Sequence, residues 1–97
     1  MAAYIISEVR SLDEAPMEQY RQLASESIAA YGGTYLVRGA EIDALEGEAS
    51  DGFRLVVVEF PSRADAQAWY QSPEYQAALQ IRFRGALERR LVLVDGI

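Results

Sequence analysis

Arg38 is the residue whose place is hardest to explain by folding alone. It stands in Tyr31-Gly32-Gly33-Thr34-Tyr35-Leu36-Val37-Arg38-Gly39, inside a mostly apolar strand that starts directly after two glycines. A guanidinium there needs a counter-charge, a solvent face or a ligand. With a hairpin turn centred between Glu48 and Ala49, Arg38 falls directly opposite Glu59. Two readings follow. In one, the two form a cross-strand ion pair worth roughly 0.2–1 kcal/mol to the sheet. In the other, Arg38 reaches into a cavity and binds a carboxylate or enolate in bidentate fashion, with Glu59 holding it in position.

Other side chains surround that pair. Glu59 is a candidate general base if burial raises its pKa. Tyr4 and Glu8 share one face of the first strand, which should neighbour the strand of Glu59. The Tyr4 hydroxyl is then either a donor to a developing oxyanion or a structural hydrogen-bond partner. Trp69, Tyr70 and Tyr75 gather around Ser72-Pro73, as the wall of a pocket or as core. The candidate catalytic residues are Glu59 and Tyr4. The candidate ligand-binding residues are Arg38, Glu59, Tyr4 and Trp69.

The residue types that are missing narrow the chemistry. There is no Cys and no His. Disulfides, thiolate sites, an imidazole base and haem ligation by His or Cys are excluded. All 9 basic residues are Arg, so no lysine Schiff base can form. The metal chemistry left is an all-oxygen site, and Glu46, Glu48 and Asp51 match no EF-hand spacing; they read as a solvated acidic loop. Neither a metal nor a cofactor is expected. Gly32-Gly33 and Gly39 fit no nucleotide-binding loop. A formal net charge of −6 argues against nucleic acid and against an anionic membrane surface.

The elements that must position these residues follow from periodicity. The 97 residues suffice for a single domain, 1–97, which buries about 60–65% of its unfolded surface and often gains stability by pairing. Residues 3–10 read as a strand. Asp13 is the expected cap of a helix with Pro16 in its first turn and Met17, Tyr20, Leu23, Ala24, Ser27, Ile28 and Tyr31 on one face. Gly32-Gly33 ends it. A second strand is expected over about 34–45, a turn over 46–52 and a third strand over 53–60, closed by Pro61. Ser62, with Asp65 three residues on, caps a short helix. Ser72-Pro73-Glu74 starts another that runs to about Arg84, and Gly85 stops it. The last strand is 87–94.

The order βαββαβ is the ferredoxin-like pattern, an α+β fold with a four-stranded antiparallel sheet and helices on one face. Strands 3 and 4 are apolar on both alternating faces. The face without helices should therefore be covered by a second copy, giving a homodimer that encloses a cavity. The first residues, Met1 to Ile6, carry no basic residue and run into Ser7, so no secretory signal is expected and a cytoplasmic location is.

Over nearly its whole length the chain resembles the small bacterial proteins catalogued as domain of unknown function 1330, in the dimeric α/β-barrel superfamily. The resemblance is carried by Ala3-Tyr4-Ile5-Ile6, Tyr31-Gly32-Gly33, Tyr35-Leu36-Val37-Arg38-Gly39, Leu45-Glu46-Gly47, Val58-Glu59-Phe60-Pro61-Ser62 and Trp69-Tyr70-Gln71-Ser72-Pro73-Glu74-Tyr75. Glu14 departs from it, standing where the family usually has proline. The resemblance implies a ferredoxin-like dimer and no particular activity. The superfamily includes cofactor-free monooxygenases and isomerase-like enzymes, whose catalytic motifs do not map onto this chain. The expectation is a homodimer that binds a small organic acid or aromatic carbonyl compound in a cavity lined by Arg38. The alternatives are a cofactor-independent enzyme acting on such a compound, or a structural or interaction dimer without ligand.

Overall fold

The structure, a computed structural model, describes residues 1–49 and 51–97. The strands are β1 (Ala3–Ser11), β2 (Thr34–Glu41), β3 (Arg54–Phe60) and β4 (Leu87–Asp95), and the helices are α1 (Glu14–Ala30), α2 (Arg63–Gln71) and α3 (Pro73–Ile81). They form one antiparallel sheet in the order β2-β3-β1-β4. This is the ferredoxin-like arrangement, with the second helical region broken in two at Ser72. No helix among the described residues is long and apolar enough to cross a membrane.

The helices begin where short polar side chains accept backbone N–H groups. Ser62 Oγ accepts from Asp65 N at 3.1 Å, and Ser72 Oγ from Tyr75 N at 3.1 Å. Asp13 does not act this way: it holds the cap position of α1 without a side-chain bond. Ser11 Oγ instead donates to Glu14 at 2.8 Å, and Arg21 donates to the same carboxylate at 2.6 Å. At the other end of α1, Gly33 N donates to Ile28 O at 2.9 Å, and Gly32 takes φ 80°. A single wide turn, Arg82–Ala86, follows α3, with Gly85 at φ 86°. β2 ends at Glu41 and not near 45, because its partner β3 starts only at Arg54. The turn expected over 46–52 includes Ser50, which lies outside the described residues.

The core lies between the helices and one sheet face. Ile5, Val58 and Phe60 from the sheet meet Ile28, Trp69 and Leu79 from the helices. The opposite face carries Ile6, Val37, Leu55, Val57 and Val92, all half-buried, and the exposed Val94. No helix covers it.

Candidate functional site

α1 packs against α3 and stands away from the sheet. The gap is a cavity of about 810 Å³. Met17, Tyr20, Ala24 and Ile28 of α1 form one wall; Ser7, Val56, Val58 and Leu91 form the other. Trp69 closes one side. Its Nε1 donates to Ser27 Oγ at 3.0 Å, and Ser27 Oγ donates on to Ala24 O at 2.7 Å, so the indole is fixed in orientation. Its ring stacks at 4.3 Å from Tyr75 and 5.6 Å from Phe60. Trp69 and Tyr75 are both core residues, and Trp69 is cavity wall as well. Tyr70 is partly exposed beside a second cavity of about 320 Å³, which Arg89 also lines.

The central polar group is Arg89, which the sequence reading passed over. It pairs with Val9 and keeps the phase of Leu87, Leu91 and Leu93, so it faces the cavity. Its Nη1 donates to the Tyr20 hydroxyl and its Nη2 to the Tyr75 hydroxyl. The two phenols are also joined to each other at 2.9 Å. The guanidinium carbon lies 5.1 Å from the Tyr20 ring and 5.8 Å from the Tyr75 ring. Burial pushes the Tyr20 phenol well above the usual tyrosine range, against the pull of Arg89. Burial opposes the charge on Arg89, and the two phenol oxygens offset it, so Arg89 stays a cation. Arg10, Arg21 and Arg63 have carboxylate partners, whereas among the described residues Arg89 has none. Among the described residues three buried side-chain atoms have no hydrogen-bond partner, Ser7 Oγ, Arg10 Nε and Arg89 Nε, and all three residues line the cavity.

Arg38 does not face Glu59. It pairs with Val56, and Glu59 pairs with Thr34. Two bulges, at Leu36 and Gly39, shift the register. Near the hairpin Ala40 faces Leu55. Continued without a bulge, Arg38 would face Val57 on the open side of the sheet. The extra residue at Gly39, with φ 78°, sets it opposite Val56 on the cavity side. Arg38 sits exposed at the cavity mouth, 4.5 Å over the Tyr35 ring, and donates to Ser25 Oγ at 3.1 Å.

The structure therefore splits the expected site. Arg38 and Trp69 line the cavity. Tyr4 and Glu59 face each other across β1 and β3 on the opposite, open side of the sheet. There the Glu59 carboxylate raises the Tyr4 phenol by favouring its protonated, donating form. Among the described residues one carboxylate lines the cavity, Glu14 at its mouth, and hydrogen bonds from Arg21 and Ser11 hold it below the usual range. A signal for Arg89 was present in the sequence: an arginine in phase with three leucines. It was masked by its neighbours Glu88 and Arg90.

The arrangement can hold a small anion against a buried cation, with flat apolar walls around its body. Among the described residues its one carboxylate, Glu14, has its proton affinity lowered.

Solved structures share this fold. A protein of unknown function from Rhodopseudomonas palustris superposes with a TM-score of 0.75 at 17% identity, covering 99% of this chain and 82% of that one. A dimeric ferredoxin-like protein of unknown function from Thermobifida fusca gives 0.66 at 22% identity, covering 99% and 92%. SnoaB, a cofactor-independent oxygenase from Streptomyces nogalater, gives 0.68 at 10% identity, covering 99% and 93%. No curated protein matches in sequence. The family described as domain of unknown function, DUF1330, matches residues 2–97, and the chain belongs to it.

Proposed function

We propose that the protein is a cytoplasmic homodimer that binds a small organic acid or aromatic carbonyl compound in the cavity under α1. Arg89 is the observation that carries this. A partly buried guanidinium held by two neutral phenols has no carboxylate partner among the described residues, and an anion would complete its pairing. A carboxylate or enolate supplies that charge. Arg38 adds a second cation at the mouth, and Trp69 and Tyr35 add flat surfaces. The open face, apolar at Ile6, Val37, Leu55, Val57 and Val92, is suited to pairing with a second copy, and the Thermobifida fusca relative is described as dimeric.

Turnover is the second reading, prompted by the fold shared with a cofactor-independent oxygenase. The cavity favours binding instead. Its one carboxylate is held ionised and its Tyr20 phenol is held protonated, so neither is poised to take a proton near neutral pH.

The test is thermal unfolding with small aliphatic and aromatic carboxylates, on unmodified protein and Arg38→Met. A ligand of the folded state raises the midpoint with concentration. Arg38→Met should weaken the effect without abolishing it, because Arg38 stands at the mouth. No shift with any carboxylate would remove the proposal.

A further inference from the structure

We propose that Ser7 and Arg89 together form the anchoring subsite of this cavity, and that it takes the carboxylate of a small acid with a planar apolar body. Ser7 Oγ donates one hydrogen bond to that carboxylate and Arg89 Nε donates the other. The inference rests on the ligand reading above and names where the charged end lies.

Both atoms are buried and both lack a partner. Ser7 is 4% exposed. Buried donors without acceptors are uncommon in folded proteins, and each one asks for an occupant. The two line the same cavity. Their placement on the sheet brings them together. Ser7 pairs with Leu91 and Val9 pairs with Arg89, so Ser7 and Arg89 are diagonal neighbours on one face of adjacent strands. Diagonal positions stand about 7–8 Å apart, within reach of each other for a long side chain such as arginine.

The chemistry of the cluster points the same way. Two of the five guanidinium N–H groups of Arg89 go to Tyr20 and Tyr75, and Nε is its one nitrogen with no partner at all. One phenol hydrogen bridges the tyrosine pair at 2.9 Å, and the other phenol keeps a hydrogen to give. The cluster thus holds a surplus of donors and a positive charge, the complement of a carboxylate. Away from it Met17, Ala24, Ile28, Val58 and Trp69 form apolar walls that fit an apolar body, with Arg38 and Glu14 at the mouth. An ordered water could satisfy the same two atoms. It would not answer the charge.

Calorimetric titration with benzoate and with benzyl alcohol tests this on unmodified protein, Ser7→Ala and Arg89→Lys. In parallel, the Arg89 Nε–H signal is followed by ¹⁵N–¹H correlation spectroscopy, assigned by its loss in Arg89→Lys. Benzoate should bind and benzyl alcohol should not. Ser7→Ala, which removes a hydroxyl that bonds to nothing in the free protein, should weaken benzoate about tenfold. Arg89→Lys keeps the charge but loses Nε–H and should weaken it at least as much. The Nε–H signal should move on adding benzoate and stay put with benzyl alcohol, a readout that holds even if Arg89→Lys is unstable. Benzoate binding that is unchanged in Ser7→Ala, with the Nε–H signal unmoved, overturns the subsite while leaving the cavity as a binding site. Equal binding of benzyl alcohol overturns it as well. Failure of every carboxylate to bind the unmodified protein overturns the reading on which it rests.

Discussion

Replacing Arg89 with methionine should leave the folded state about as stable as before, within about 1.5 kcal/mol. Two opposed effects set that figure. The substitution removes two charge-assisted hydrogen bonds, to Tyr20 and Tyr75, each worth about 1.5–3 kcal/mol. It also removes the cost of a buried cation without a counter-charge, which amounts to several kcal/mol. Methionine fills similar space and adapts to irregular gaps. No additional donor is stranded, because the Tyr20 and Tyr75 hydroxyls keep their 2.9 Å bond to each other. Tyr20→Phe in the unmodified protein is the contrasting case. It strands Arg89 Nη1 and should cost about 1–3 kcal/mol. In an Arg89→Met background the same change should cost less, with a coupling of about 0.5–3 kcal/mol. Urea unfolding at fixed protomer concentration, followed by Trp69 fluorescence, gives all four corners of the cycle. A loss above about 3 kcal/mol for Arg89→Met, with Tyr20→Phe harmless, would show that the guanidinium holds the fold together. The argument that it awaits a ligand would then fail.

Gly33→Ala should destabilise by about 1–3 kcal/mol, since a Cβ there would lie 2.7 Å from Ile28 Cγ2 and 2.9 Å from Phe60. Calorimetry should show a midpoint lowered by about 4–8 °C per kcal/mol. Val57→Asp puts a charge between Ile6 and Val37 on the open face, so the protein should sediment as a folded monomer with its circular dichroism kept; a surviving dimer would place the interface elsewhere. Glu14 has its folded pKa lowered by Arg21, so its contribution is present above the unfolded value of about 4.3 and is lost as pH falls through the folded one. Glu14→Gln should flatten that acid limb of the stability curve, by an amount that shrinks with added salt.

What was legible in the sequence is what short-range chemistry decides. The Gly32-Gly33 stop, the caps at Ser62 and Ser72 and the element order all follow from neighbours within a few residues. The alternation in β3 and β4 likewise announced a sheet apolar on both sides. Register was not legible, because it depends on bulges. A bulge adds one residue to one strand, and one residue reverses every side chain beyond it. The hairpin register, with Ala40 opposite Leu55, already takes Arg38 away from Glu59, and the bulge at Gly39 then moves it from Val57 to Val56. Asp13 illustrates a different limit: the residue type suits a cap, but Ser11, Glu14 and Arg21 form a competing network around the same helix end.

The two faces of the sheet divide the candidate residues in a way that bears on function. Tyr4 and Glu59 lie among Ile6, Val57 and Val92 on the open face, where a polar pair can fix the register of an apolar contact. Ser7, Arg38 and Arg89 lie on the covered face, where a fold built for stability alone would place aliphatic side chains. Positions Ile5, Leu87, Leu91 and Leu93 show that it does so elsewhere on the same strands. Sequence, register and packing agree over most of this protein and disagree at these three residues. Such local conflicts, kept at a cost to stability, are where a binding site is expected. The gap under α1 gives the conflict its physical form: about 810 Å³ of space lies between helix and sheet, and Ser7 and Arg89, each with an unsatisfied buried donor, line it.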